Sequence, residues 1–216
     1  MKDNYKWYTQ VATNTPLSYR LQRGQNAVIS LYGEENGKKW LLKTPRVGEN
    51  PNIIANEIEI IRQLQDSSIV PELHPEYLDD SWGESEEYAM LMINNAASLG
   101  DYAEAALAGE IPLETLGEIL KVSLESIDQL HRYNIIHNDL HGNNLVISIN
   151  TQGEWQVYII DFGWSYTQND LPNWIAYERA WIAQEPEDDM NYLANDLEGR
   201  SQDEAYISLI GKFLRP

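Results

Sequence analysis

The first third of the chain alternates apolar and polar positions in short runs, and the pattern predicts strands. Candidates are Ser18–Arg23, Ala27–Tyr32 and Lys39–Lys43, with turns at Gly24 to Asn26 and Gly33 to Gly37. Pro45 to Pro51 is rich in helix and strand breakers. From Asn52 to Gln65 the period changes: Ile54, Ile58, Ile61 and Leu64 are spaced 4, 3 and 3, which predicts an amphipathic helix. Tyr77–Leu78 and Glu87–Ile93 read as further strands. Ser98 can cap a helix that Gly109 stops. Leu113 to Tyr133 carries the clearest helical stripe, through Leu116, Leu120, Leu124, Ile127 and Leu130. Residues 131–165 read as loop and short strands. Two more helices are expected, one through Tyr192, Leu193 and Leu197, the other over Tyr206–Leu214. Strands come first and helices later, so the expected fold is α+β. A β-rich lobe over residues 1–94 and a reduced, mainly helical lobe over 95–216 would enclose a cleft, together making one domain.

Composition narrows the partners. The 216 residues carry 34 acidic and 15 basic side chains, a formal net charge of −19. Such a surface repels nucleic acid, so no nucleic-acid partner is expected. It maintains solubility and favours cationic partners. No run of about 18 apolar residues is present, so membrane insertion is not expected. The N-terminal MKDNYKWYTQ has no apolar signal core. With no cysteine there is no disulfide framework and no zinc–thiolate site, which suits a cytoplasmic protein or one that crosses compartments.

Chemistry concentrates in two places. IIHNDLHGNNLVI, from Ile135 to Ile147, holds His137, Asp139, His141 and Asn144 between aliphatic anchors. VYIIDFGWS, from Val157 to Ser165, ends a buried strand on Asp161. Upstream, Lys43 closes the strand WLLK and Glu57 sits on the following helix. Phosphoryl transfer from a metal-bound nucleotide needs such a set. A lysine neutralises phosphate charge, and a glutamate holds the lysine. Hard oxygen donors hold Mg²⁺, and a second carboxylate meets the incoming hydroxyl.

These motifs resemble the protein-kinase-like superfamily over about Tyr19 to Leu197. HNDLHGNN matches H-x-D-x-x-x-x-N, DFG stands at the end of a strand, and WLLK is similar to the strand lysine motif. NEIEIIRQL looks like the helix carrying the lysine's partner, with Glu57 in register. AMLMIN looks like the strand entering the hinge between the lobes. The resemblance implies ATP and Mg²⁺ as cofactors. Lys43, Glu57, Asp139 and His141 would serve the chemistry. Gly24, Val28, Lys43, Leu91, Met92, Asn144 and Asp161 would bind the nucleotide, with Asn144 and Asp161 on the metal. His137 would pack and orient. Asp189, in DDMNYLAND, would support the catalytic loop.

Three departures shape the functional expectation. RGQNAVISL keeps only Gly24 of the glycine-rich phosphate loop, where Arg23 could add a charge. His141 replaces the lysine usual in protein kinases and is similar to the D-L-H-x-x-N form of aminoglycoside and choline kinases. After DFG only 53 residues remain, without a clear A-P-E segment, and Asn138 stands where an arginine often precedes the aspartate, which argues against control by loop phosphorylation. The leading expectation is a minimal Ser/Thr protein kinase of bacterial or viral type, cytoplasmic or delivered into a host cell as an effector, acting on a protein substrate. A small-molecule kinase and a pseudokinase binding module are the alternatives.

Overall fold

The computed structural model describes residues 27–78 and 87–215. The expected strand Ser18–Arg23, Gly24 and the turn to Asn26 lie outside them.

Alternating patterning at the start produces an antiparallel three-stranded sheet of β1 (Ala27–Glu35), β2 (Lys38–Pro45) and β3 (Tyr88–Leu91), in that order. β1 runs through Gly33, into the range expected to turn, past a register shift between Leu31 and Gly33. The turn falls on Asn36-Gly37, at the end of the expected range Gly33 to Gly37, where φ is 53° and 75°. Both residues tolerate that left-handed backbone, which matches strand twist in a two-residue hairpin. Helix α1 (Pro51–Gln63) starts at Asn50, whose side chain accepts the Asn52 N–H at 2.9 Å, with Pro51 in the first turn. It buries Ile53, Ile54, Ile58, Ile60 and Ile61.

Tyr77–Leu78 is not a strand. Pro75 fixes φ for a short 3₁₀ turn over Pro75–Tyr77, capped by the His74 side chain. The sheet edge is finished by Glu72 and His74: the Leu91 N–H reaches Glu72 O at 2.7 Å, and the His74 N–H reaches Ala89 O at 2.9 Å.

The second half is built around helix α3 (Leu113–Arg132). Leu116, Ile119, Leu120, Ile127 and Leu130 on its inner stripe are fully buried, each burial being worth about 1.5–3 kcal/mol. Before it lie β4 (Ala97–Ser98) and α2 (Leu99–Leu107), where Ser98 and Asp101 form a capping box. After it come β5 (Ile135–Ile136), the hairpin β6 (Leu145–Ile149) and β7 (Trp155–Ile159), and β8 (Tyr166–Thr167). β4 pairs with β6 and β5 with β8, so the segments on either side of Asp139 and Asp161 are tied into sheets. Three helices follow: α4 (Asn173–Glu178), α5 (Pro186–Glu198) and α6 (Glu204–Leu214). α4 breaks into a region expected to be irregular. One apolar core runs from Ala27 through α1 and α3 to Leu214, and a smaller one joins Ile136, Tyr166, Ile175 and Ala183. Sheet lobe and helical lobe face each other across a cleft.

Candidate active site

β2 and α1 bring Lys43 and Glu57 together from the two sides of the sheet lobe. Lys43 Nζ lies 2.6 Å and 2.8 Å from the two Glu57 oxygens and 2.8 Å from Asp161 Oδ1. Lys43 is 6% exposed and Glu57 is fully buried. Burial by itself pushes the lysine pKa down, but the Glu57 and Asp161 carboxylates outweigh it and hold the ammonium charged. Burial pushes Glu57 up, against the pull of Lys43. Asp161 is held below the usual carboxylate range: burial opposes this, and Lys43 prevails. Tyr88, opposite Lys43 in the β2–β3 register, completes the cluster. Burial and the adjacent Glu57 drive its pKa far up, so its phenol stays protonated and donates to that carboxylate.

Asp161 has φ 66° and ψ 56°, a left-handed conformation an aspartate tolerates. It turns the chain out of β7 into a 3₁₀ turn over Phe162–Trp164. That turn is clasped by α1. Asn56 Nδ2 donates toward the carbonyls of Phe162 (3.2 Å), Gly163 (3.2 Å) and Ser165 (2.7 Å), and the Phe162 N–H donates to Glu57 Oε1 at 3.2 Å.

The loop after β5 is organised by Asp189 of α5, which is fully buried. It accepts the backbone N–H groups of His137 (2.7 Å) and Asn138 (2.8 Å), and His131 Nε2 lies 3.2 Å away. Burial lowers the His137 pKa despite neighbouring carboxylates, so the ring is neutral, and its Nε2–H donates to Ile160 O at 3.0 Å. This leaves His137 a packing and orienting group. Asn144 Nδ2 donates to Asp139 O at 2.9 Å, and the Ile160 N–H donates to Asn144 O at 3.0 Å, which sets Asn144 beside Asp161. Gly142 donates its N–H to Asp196 Oδ2 at 2.9 Å, and a Cβ there would press on Gly100 N and Leu197 at 3.1 Å.

Lys43, Glu57, Asp139, His141, Asn144 and Asp161 all line one cavity of about 480 Å³ between the lobes. Three expected nucleotide contacts do not. Val28 is 39% exposed and pairs with Thr44, so it points away. Its neighbours Ala27 and Ile29 line the cavity instead, because strand side chains alternate and Ile29 is the partner of Lys43. Likewise Met90 lines the cavity where Leu91 and Met92 were expected. The N–H groups of those two are already used, on Glu72 O and Lys39 O. Gly24 lies outside the described residues.

Sequence reasoning missed Asn56, Tyr88 and Arg179. Arg179 follows α4 and donates from Nη2 to Asp139 Oδ1 at 2.7 Å. Its neighbourhood carries no recognisable motif, so only the folded chain brings it to the site.

A family model described as protein kinase domain matches residues 22–201. The protein named "Probable serine/threonine-protein kinase zyg-1" from Caenorhabditis elegans is 25% identical over 145 residues, 67% of this chain and 20% of that protein. Its Caenorhabditis briggsae namesake is 25% identical over 144 residues, 67% of this chain and 19% of that protein. The chain thus spans about a fifth of the length of these curated relatives. A solved structure titled "WaaP in complex with acyl carrier protein" superposes with a TM-score of 0.57 at 10% identity, covering 100% of this chain and 88% of that one. That likeness carries the fold alone. Among the described residues no helix is long and apolar enough to cross a membrane.

Proposed function

Because the chain belongs to the protein kinase domain family, we propose that it transfers the γ-phosphoryl group of Mg–ATP to a hydroxyl group of a protein. One observation carries the reading: the ammonium of Lys43, locked between Glu57 and Asp161, opens on the same cavity as Asp139 and Asn144. That cavity, at about 480 Å³, has the size of a small-ligand site. Ala27, Ile29 and Met90 give it an apolar wall suited to a flat base, and Lys43, Glu57, Asp139, Asp161 and Arg179 supply its charges.

The donor set fits a nucleotide-borne magnesium. Among the described residues no three His, Cys, Asp or Glu side chains converge on a metal position. Mg²⁺ characteristically takes one or two protein oxygens and completes its shell from phosphates and water, so Asn144 and Asp161 suffice. When bound, the ion neutralises charge on the phosphates. Lys43 neutralises more of it, and Glu57 with Tyr88 keeps Lys43 from swinging away. Asp139 accepts the hydrogen bond of the acceptor hydroxyl and aligns its oxygen with phosphorus. His141 lines the acceptor end of the cavity, with Nδ1 taking the Asn143 N–H at 3.3 Å. A protein acceptor is favoured by the named relatives, which are called serine/threonine-protein kinases.

The test is to incubate the purified chain and its Asp139→Asn variant with γ-labelled Mg–ATP and a protein lysate. Label in protein bands with the wild type and not with the variant is the expected result. Label only in small molecules, label from the α-phosphate on protein, or nucleotide binding without transfer would each overturn the reading in favour of a small-molecule kinase, an AMP transferase or a binding module.

A further inference from the structure

We propose that Arg179 is the positioning residue of the phosphotransferase site, fixing the Asp139 carboxylate so that one oxygen is held and the other is left for the acceptor hydroxyl. The inference rests on the phosphotransferase reading. One nitrogen, Nη2, makes two bonds of 2.7 Å, to Asp139 Oδ1 and to Asn138 O. The guanidinium carbon stands 4.8 Å from the centre of the Trp164 ring, a cation–π distance. The Arg179 and Asp139 side chains are only 24% and 19% exposed. The pair is therefore largely withdrawn from water, where a charged hydrogen bond is stronger and more directional than at the surface.

The arginine is itself held. It ends α4, whose Ile175 is fully buried. Glu178 just before it accepts from Asn50 Nδ2 at 2.7 Å, across the cleft. Beyond it, the Ala183 N–H donates to Asn138 Oδ1 at 2.8 Å, and Asn138 Nδ2 donates to Trp164 O at 3.1 Å. The segment bearing Arg179 is thus fastened to the very loop that carries Asp139. A mobile surface arginine would hold the carboxylate loosely. This one restricts Asp139 to a single rotamer with Oδ1 occupied.

The cavity has two strong cations among the described residues, Lys43 and Arg179, each tied to a different aspartate. Lys43 with Asp161 serves the phosphate end and Arg179 with Asp139 the acceptor end. In the transfer step the acceptor O–H breaks and its oxygen bonds to the γ-phosphorus. The bond from that phosphorus to the ADP oxygen breaks, ADP departs with that electron pair, and the proton passes to Asp139 Oδ2. Arg179 acts through Asp139, to which it is bonded, so its removal should alter turnover and spare nucleotide affinity.

Steady-state transfer from γ-labelled Mg–ATP is measured for the wild type, Arg179→Met and Arg179→Lys, with thermal unfolding alongside. Methionine keeps a stem on Trp164 and loses both bonds. It should cut kcat about 30-fold, a fraction of what a positioned proton acceptor contributes, with KM for ATP within about twofold. Lysine can place one ammonium nitrogen where Nη2 stands and should keep at least about a third of wild-type kcat. A merely structural role would instead make kcat follow unfolding temperature in both variants, and that result overturns the inference. So does an Arg179→Met variant with kcat equal to or above wild type. If Arg179→Met fails to fold, Arg179→Lys decides alone: kcat below a tenth of wild type in a folded protein overturns it. Should the wild type transfer label while Asp139→Asn does not, a failure of the arginine variants sinks only this inference; a wild type without transfer sinks both readings.

Discussion

Gly163 sits against the first turn of α1, and the space there is already filled. A Cβ built on it would lie 2.5 Å from Ile53 Cγ2 and 3.5 Å from Ile53 O. Two carbons rest at about 3.5–4.0 Å, so Gly163→Ala is about 1 Å too close. Ile53 is β-branched, 4% exposed and fixed on a helix, so its methyl has no easy rotamer to retreat to. Overpacking of this kind costs about 1–3 kcal/mol, and we expect about 2 kcal/mol for Gly163→Ala. Ile53→Ala alone should cost about 2–3 kcal/mol, at the low end for isoleucine truncation because the site borders a turn. Combined, the new methyl occupies space the isoleucine left. The double variant should therefore be more stable than the sum of the single effects by about 1–2 kcal/mol. Urea unfolding of the four proteins measures the coupling. Additivity within about 0.5 kcal/mol would refute the packing argument. Transfer activity should fall with Gly163→Ala and partly return in the double variant, because α1 also carries Glu57.

Three further predictions follow from the same contacts. Asn56→Leu leaves the carbonyls of Phe162, Gly163 and Ser165 without their shared donor; it should cost about 1–3 kcal/mol in urea unfolding, and Asn56→Asp should cost more because its oxygens face oxygens. Asp189→Asn keeps shape but turns an amide donor toward one of two backbone N–H groups; a loss of about 3–5 kcal/mol is expected, and a loss under about 1 kcal/mol would contradict the role given to this carboxylate. His137 has its pKa lowered by burial, so the unfolded chain takes up a proton first as pH falls below about 6.5. The stability that the neutral ring contributes is present above that pH and is lost as pH drops toward the folded-state pKa; the gap between wild type and His137→Gln in unfolding free energy should narrow from pH 7.5 to pH 5.5.

The parts of the fold legible in the sequence were those where period and punctuation agree. The stripe from Leu116 to Leu130 and the Ser98 cap are local facts, and α3 and α2 follow them closely. That Lys43, Glu57, Asp139, Asn144 and Asp161 would meet at one cavity was legible because the motifs that carry them keep a fixed spacing within each segment. Which face of a strand a residue takes is harder. The residues directly flanking Val28 and Leu91 are all apolar, so adjacent positions give no contrast, and Ala27, Ile29 and Met90 line the cavity instead. The turn expected over Gly33 to Gly37 narrows to Asn36-Gly37, because the strand continues through Gly33 past an irregularity in register. Asn56 and Arg179 could not be found at all from spacing. Each acts on a segment about forty or more than a hundred residues away, on Asp139 for Arg179 and on the turn after Asp161 for Asn56.

The central claim is that Lys43 of the sheet lobe and the oxygen donors of the helical lobe share one nucleotide. Crystals grown with a non-hydrolysable ATP analogue and Mn²⁺, recorded at the manganese edge, test it directly. The account predicts an anomalous peak about 2.1 Å from Asn144 Oδ1 and an Asp161 carboxylate oxygen, with Lys43 Nζ on the phosphates. A nucleotide bound with its metal elsewhere, or with Lys43 still turned from the phosphates, would contradict it.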